Sequence, residues 1–306
     1  MSVSRVVELV GEADHIVITT LADNAVNSSA EKKKHVERLR GRFTAEHGIS
    51  FLIEVKQGRN DKMFLMDTGQ GFTLKHNMKQ MRIDADRIEC VVISHGHYDH
   101  TGGLIEFLKT VDGDVPVIAH PDAFKPSIWI RRKGSVRRPY LPVSVDRLES
   151  VGGRLLQTKD SFPLFAGTLT TGEVVRETPF EDLKGVFYLD DNGVVESPIL
   201  DDQSIIVNLK KKGLVIVSGC GHAGIVNIIE QARRLTGVNR VCCVVGGFHL
   251  VGSSEDRMNR TIQYLKGLNA DIVSPMHCSG FEFTLKAATE LSDCFASNGI
   301  GTQITL

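Results

Sequence analysis

The chain has no uncharged apolar stretch near the roughly 18 residues that a membrane span requires, so no membrane partner is expected. Charge imbalance is also missing: 36 Lys and Arg stand against 37 Asp and Glu, a formal net charge of −1, which argues against nucleic acid as the main partner. No secretory leader is expected, because Glu8 interrupts the pairs Val6-Val7 and Leu9-Val10, and Gly11-Glu12 ends them. Cysteine is sparse, with 6 residues at positions 90, 220, 242, 243, 278 and 294, several inside apolar runs. A chain of this size without an export signal keeps such thiols reduced. The expected compartment is the cytoplasm, and a disulfide framework is not expected.

What is present is an ordinary globular composition, 42% hydrophobic and 24% charged over 306 residues, enough for a sizeable core at the upper limit of one domain. Short β runs are expected at 15–21, 49–55, 63–66, 89–94 and 115–119. A helical pattern ends at Met81, and another opens after Thr101-Gly102-Gly103. The charged stretch 30–42 reads as a surface helix or a loop. From about 121 to 182 the pattern is irregular, with turn residues and short β runs, and reads as an insertion or cap within a single domain covering 1–306. Regularity returns with strands at 204–209, 214–217, 241–245 and 272–273, and helices at 225–235, 257–268 and about 281–295. Strands alternating with helices predict layered α/β architecture around mixed sheets.

The densest chemistry is His95-Gly96-His97-Tyr98-Asp99-His100, which holds three of the eleven histidines and a carboxylate. Neutral imidazole and carboxylate oxygen are what zinc and other borderline divalent ions prefer. The run follows an apolar strand and precedes a helix, where open α/β sheets hold their ligands. A surface histidine patch without metal is the alternative. His95 and His97, two apart, are expected to clasp one ion from the same side. Asp99 and His100 are expected to face a second position, giving either two metals or one metal with Asp99 as base. His222, His249 and His277 also follow strand-like runs. His222 and His277 read as further ligands, whereas His249 reads as touching substrate or bonding a ligand from behind. His120 ends a strand directly before Pro121 and reads as structural or substrate-facing.

Two further patterns bear on the site. The run 91–94 leads into the first histidine loop much as 215–218 leads into Gly219-Cys220-Gly221-His222, so two β/α halves would bring both turns to one edge. Arg131-Arg132-Lys133 and Arg137-Arg138, beside Trp129 and Tyr140, read either as a solvated loop or as a lid gripping an anionic group, for which Arg131, Arg132, Arg137 and Arg138 suit bidentate phosphate recognition.

His-x-His-x-Asp-His after a buried strand, with Asp67-Thr68-Gly69 upstream, resembles the metallo-β-lactamase superfamily, and the resemblance runs over nearly the whole chain. Glu46-His47-Gly48-Ile49-Ser50, Asp67-Thr68-Gly69-Gln70, Gly219-Cys220-Gly221-His222-Ala223-Gly224, Gly246-Gly247-Phe248-His249-Leu250 and Pro275-Met276-His277-Cys278 are similar to one subgroup. That subgroup carries the name of a dihydropterin-ribofuranosylaminobenzene-5′-phosphate synthase, a methanopterin-pathway name. The resemblance implies a four-layer αββα sandwich with two mixed β-sheets and metals at one edge between them. It implies His95 and His97 on the first metal, Asp99 and His100 at the second, and His277 as the last family histidine. Asp67 would steady the loop from behind. One feature departs from the family. Many members have a Gly-Asp turn whose Asp bridges the metals, and here the strand ends in Gly219-Cys220-Gly221-His222. His222, or Asp202 from the preceding hairpin, is the expected substitute; otherwise one metal is held tightly and its partner weakly.

Cys278 reads as packing or as a thiolate near the metal. The implied cofactor is one or two divalent ions, zinc first, with manganese or iron as alternatives. Such an ion lowers the pKa of a coordinated water towards neutrality and polarises a carbonyl or phosphoryl oxygen, with Asp99 orienting the water or taking its proton. The expected activity is hydrolysis, or a related transfer, on a small anionic molecule that is phosphorylated, ring-bearing and, by the subgroup's name, pterin-related. An iron-dependent oxidoreductase on the same fold and a metal-stabilised binding protein without turnover are the alternatives. The sequence carries no sign of oligomeric state.

Overall fold

The computed structural model describes residues 10–26, 33–125, 127–129, 143–181, 186–190, 193–196 and 199–306. In chain order the strands are β1 His15–Ala22, β2 Val36–Arg38, β3 Ser50–Gln57, β4 Asn60–Met66, β5 Ile88–Val92, β6 Val115–Ala119, β7 Ser127–Trp129, β8 Gly153–Gln157 and β9 Pro163–Phe165. They continue with β10 Thr168–Thr170, β11 Val186–Asp190, β12 Gly193–Glu196, β13 Ser204–Leu209, β14 Gly213–Ser218, β15 Val241–Gly247, β16 Ile272–Met276 and β17 Thr302–Thr305. The helices are α1 Leu74–Met81, α2 Tyr98–Thr101, α3 Leu104–Leu108, α4 Val145–Glu149, α5 Ile225–Thr236, α6 Glu255–Gly267 and α7 Phe281–Glu290.

Two mixed sheets form the frame. The first has eight strands in the order β2-β17-β1-β3-β4-β5-β6-β8, antiparallel as far as β4 and parallel from β4 to β8. The second has six, β16-β15-β14-β13-β10-β9, with β14, β15 and β16 parallel and the rest antiparallel. A small antiparallel sheet, β12-β11-β7, stands beside them.

Side-chain alternation along the strands decides the layering. Phe51, Ile53, Phe64, Met66, Cys90 and Val92 of the first sheet pack against Ile205, Val207, Val215, Val217 and Val245 of the second. The intervening residues Leu52, Leu65, Val91 and Ile93 point the other way, onto Leu74 and Met78 of α1, Leu104 and Phe107 of α3, and Leu148 of α4. On the far side, Ile206, Leu214, Ile216 and Val244 cover α5, α6 and α7. The result is a four-layer αββα sandwich. Full burial of one such aliphatic or aromatic side chain contributes about 1.5–3 kcal/mol, so all three apolar layers stabilise the frame.

The helices follow from local signals. In α5, Ile225, Ile228, Ile229 and Ala232 recur at helical spacing on the buried face, and Gly237, at φ 69°, ends the helix in the left-handed region that favours glycine. Ser254 caps α6, its hydroxyl accepting from the Arg257 amide, and Glu255 and Asp256 stand favourably at the positive end of the helix dipole.

Several elements differ from expectation. The charged stretch 30–42 contains a short strand where a helix or loop was expected: Val36 is buried and Glu37 exposed on β2, which pairs with β17 at the sheet edge. Charged side chains suit an edge strand, because they discourage pairing with another chain. The stretch 121–182, expected as a cap, supplies β8 to the first sheet and β9 and β10 to the second. The short β runs expected here are these strands, but three to five residues are too few to establish a period, so their membership of the two main sheets was not legible. Arg131, Arg132, Arg137 and Arg138 lie outside the described residues. No helix among the described residues is long and apolar enough to cross a membrane.

Candidate metal centre

The chemistry gathers at the C-terminal ends of the parallel strands of both sheets. Asp67 follows β4, the run from His95 to His100 follows β5, and His222, His249 and His277 follow β14, β15 and β16. The two sets of ends meet closely. A methyl group at Gly219 would stand 2.2 Å from Ser94 Oγ and 2.8 Å from Asp67 Oδ2, so this contact admits only glycine. Gly96 is equally confined, since a Cβ there would lie 2.1 Å from the Ala123 carbonyl oxygen.

Three imidazoles form the innermost group. His95 Nε2 lies 2.8 Å from His97 Nδ1 and 3.2 Å from His222 Nε2. All three residues are buried. Burial, reinforced by neighbouring histidines, holds His95 and His222 well below the ordinary histidine range, and burial brings His97 down to about 3 against the opposing pull of Asp99. Each neutral ring has one lone pair to offer, and three ring nitrogens this close together would be well satisfied by a cation between them. A tetrahedral ion with bonds of about 2.0–2.1 Å separates its ligand atoms by roughly 3.3 Å. The residues present therefore fit a borderline divalent ion.

Asp67 and Ser94 organise the floor behind these rings. Asp67 Oδ1 accepts the Ser94 amide at 2.7 Å, and Oδ2 accepts the Ser94 hydroxyl at 2.7 Å and His100 Nδ1 at 2.6 Å. Burial would lower His100, but Asp67 and Asp99 outweigh it and push the imidazole up to about 9. With Nδ1 donating to Asp67, His100 turns Nε2 towards Cys220 Sγ at 3.2 Å and Asp99 Oδ2 at 3.8 Å. Carboxylate behind imidazole is the usual device for orienting a ligand ring.

Asp99 forms the more open side. Its Oδ2 lies 3.2 Å from His47 Nε2 and 3.4 Å from His277 Nε2, and the His47 side chain is 53% exposed. Burial would raise the Asp99 carboxyl, but His100 and the His277 hydrogen bond prevail and hold it below the ordinary carboxylate range. His277 Nδ1 in turn meets Asn24 Oδ1 at 3.1 Å. His47 had no role in the sequence reading. Its neighbour was the available signal: Glu46 accepts the amides of Gln70 and Gly71 at 3.0 Å and of Phe72 at 2.8 Å, anchoring the 70–72 turn beside His47.

The adjacent Asp201 and Asp202 hold the two histidine loops by their backbones. Asp201 Oδ2 accepts the Gly96 amide at 2.7 Å, between His95 and His97, and Asp202 Oδ2 accepts the Ala223 amide at 2.9 Å, just past His222. Burial raises both carboxyls to about 6. Five triples of side chains bring their donor atoms within 4.8 Å of one another among the described residues: His95, His97 and His222; His95, His100 and Cys220; Cys220, His222 and His249; Cys220, His277 and Cys278; His47, Asp99 and His277. Asp202, expected from the sequence as one substitute for the bridging carboxylate, is in none of them. His249 stacks on His222 with ring centroids 4.0 Å apart, and Cys278 Sγ donates to the Cys220 carbonyl at 3.2 Å. His120 is turned away: Nδ1 accepts the Asp122 amide and Nε2 faces Glu173 at 3.4 Å.

A sequence model of the metallo-beta-lactamase superfamily matches residues 44–235. The chain is 32% identical over 278 residues to a 7,8-dihydropterin-6-methyl-4-(beta-D-ribofuranosyl)-aminobenzene-5'-phosphate synthase from Methanocaldococcus jannaschii, covering 89% of this chain and 90% of that one. It is 33% identical over 255 residues to an uncharacterized protein of the same archaeon, covering 82% and 89%. In fold it is similar to Tm1679, described as a metal-dependent hydrolase of the beta-lactamase superfamily, with a TM-score of 0.74 and 24% identity over 95% of this chain and 99% of the other. It is also similar to the metallo-beta-lactamase fold protein YhfI from Bacillus subtilis, at a TM-score of 0.54 and 10% identity over 96% and 100%. At such identities these two structures speak for the fold alone.

Proposed function

Because the chain belongs to the metallo-β-lactamase superfamily, whose members bind divalent metals, we propose that it is a metal-dependent hydrolase, or a related transferase, acting on a small phosphorylated molecule that carries a ring. The single observation behind this reading is the triangle of neutral, buried His95, His97 and His222, with nitrogen atoms 2.8 and 3.2 Å apart. These three would hold one ion, zinc first with manganese or iron as alternatives, and Asp99, His100 and His277 would hold a second. When bound, such an ion supplies an activated water near neutral pH and stabilises charge developing on the reacting oxygen.

The chain's own residues do the positioning. Asp99 accepts a hydrogen bond from the attacking water and orients it. Asp99 would relay the proton of that water. His47, 3.2 Å from Asp99 Oδ2 and exposed, gives that proton a route to solvent. Asp67 fixes the tautomer of His100 by accepting from Nδ1 at 2.6 Å.

The phosphate and the ring come from the 32% identical relative, whose name describes a dihydropterin, a ribofuranosyl group, an aminobenzene and a 5'-phosphate. Arg131, Arg132, Arg137 and Arg138 are assigned to the phosphate on their sequence pattern alone. Elemental analysis of the purified protein, followed by turnover assays on phosphomonoesters, phosphodiesters, lactones and thioesters, tests the proposal. The expected result is bound divalent metal and turnover of a phosphorylated, ring-bearing substrate that stops on chelation and returns with metal. Full turnover by metal-free protein would end the proposal. Replacing the four arginines together is expected to raise KM for phosphorylated substrates, and an unchanged KM would remove their role.

A further inference from the structure

We propose that Cys220 is the anionic ligand that joins the two metal positions, a thiolate standing where many superfamily members have a bridging carboxylate. The proposal rests on the metal centre inferred above and adds a sulfur donor to it. Cys220 is 3% exposed, and its Sγ lies 3.2 Å from His100 Nε2. Among the described residues it alone belongs to three of the five donor triples, sharing one with His95 and His100, one with His222 and His249, and one with His277 and Cys278. It therefore reaches donors of both positions. His277, whose side chain is fully buried, has Nε2 3.4 Å from Asp99 Oδ2 and also stands in one donor group with Cys220 and Cys278.

Charge balance leads to the same residue. The triangle of His95, His97 and His222 offers three neutral donors to a divalent ion, and a buried double charge needs an anion nearby. The neighbouring carboxylates are engaged. Asp67 is bonded to Ser94 and His100, Asp201 to the Gly96 amide and Asp202 to the Ala223 amide, while Asp99 is assigned to the second position, beside His47 and His277, and stands in no donor group with the triangle. Binding would exchange the Cys220 S–H bond for sulfur–metal bonds and release one proton to solvent, with no change of oxidation state. A thiolate there favours zinc or iron over magnesium and calcium, which prefer oxygen donors.

Cobalt(II) and X-ray absorption test the assignment. Protein stripped by a chelator and titrated with cobalt is expected to take up two equivalents and to develop a near-ultraviolet sulfur-to-cobalt charge-transfer band. Cys220→Ser should lose the band and bind the second equivalent at least about tenfold more weakly. Cys278→Ser should keep the band. If the band survives in Cys220→Ser and disappears in Cys278→Ser, the sulfur ligand is Cys278 and the proposal fails. Cobalt uptake with visible bands but no sulfur band in the wild type overturns the thiolate and leaves the metal centre standing. No cobalt uptake overturns both. Zinc-edge absorption on the wild-type protein needs no variant: a bridge gives an average near one sulfur per zinc, at about 2.3 Å. An average near one half puts the sulfur on a single ion and overturns the bridge.

Discussion

The triangle of His95, His97 and His222 and the group of Asp99, His47 and His277 belong to one site, yet their physical characters are opposite. The triangle is closed: its members are 0%, 9% and 1% exposed, its rings are neutral, and its donors are all nitrogen. The other group is ionised at Asp99 and opens to solvent through a His47 side chain that is 53% exposed. Burial without charge leaves lone pairs fixed and waiting, which suits holding an ion. Charge beside water suits reaction, because substrate, solvent and protons must pass there. The difference comes from the charge on Asp99 and the exposure of His47, since Asp99 and the His277 side chain are themselves buried.

The comparison breaks most visibly at its closed end. His97→Ala is expected to remove bound metal and to reduce activity to background, a loss of at least about 10³-fold, with an unchanged far-ultraviolet circular dichroism spectrum. Retention of full activity would remove the triangle from the mechanism. His277→Ala strikes the open end and should give a different result: metal content halves, the remaining ion stays bound, and activity falls about 10²-fold. Loss of both ions in that variant would show that the two groups do not bind independently.

Weaker effects come from the residues that support the triangle without touching an ion. Asp201→Ala deprives the Gly96 amide of its acceptor and should weaken metal binding about 10- to 100-fold by competition titration, whereas Asp201→Asn keeps an acceptor oxygen and should restore most of it. Equal affinities for Ala and Asn would make Asp201 irrelevant to the ligand loop.

A further effect, on stability and not on metal binding or turnover, concerns Glu181, whose carboxylate accepts the Val226 and Asn227 amides at the start of α5, just past His222. Burial raises its carboxyl from 4.5 to about 7 despite those bonds. A raised folded pKa contributes stability that is full below the unfolded value and lost as pH climbs through the folded one. Relative to Glu181→Gln, the wild type should therefore lose stability between about pH 4.5 and 7, by something on the order of 3 kcal/mol. Thermal unfolding curves that run parallel for the two proteins across that range would remove the effect.

The sandwich was readable because its long strands alternate or run apolar through five or more residues and its helices carry clear stripes; β13 and β6 match the sequence reading residue for residue. The hexapeptide from His95 to His100 was visible because its donors are adjacent in the chain. Partners joined only by folding were harder to see. Cys220 meets His100 across 120 positions, and Asp201 meets the Gly96 amide across 105, so no local spacing links them. Cys220 and His47 entered the sequence reading only as parts of longer patterns, with no role of their own. The short strands β2 and β17 escaped notice because three or four residues pair through their backbones and leave little trace in side-chain periodicity.

β17 pairs with β1 on one side and β2 on the other, so the first sheet waits for residues that the ribosome makes after the whole second sheet. At about 5–20 residues per second, the bare edge of β1 stays open for roughly tens of seconds during translation. An open edge is a template for pairing with a neighbouring nascent chain. Crowded polysomes are therefore where this protein is most exposed to aggregation, and a stalled ribosome would display His95 and His97 long before His222 has been made. On the proposed assignment, metal delivered to such a half-made chain would find only two of the three nitrogens.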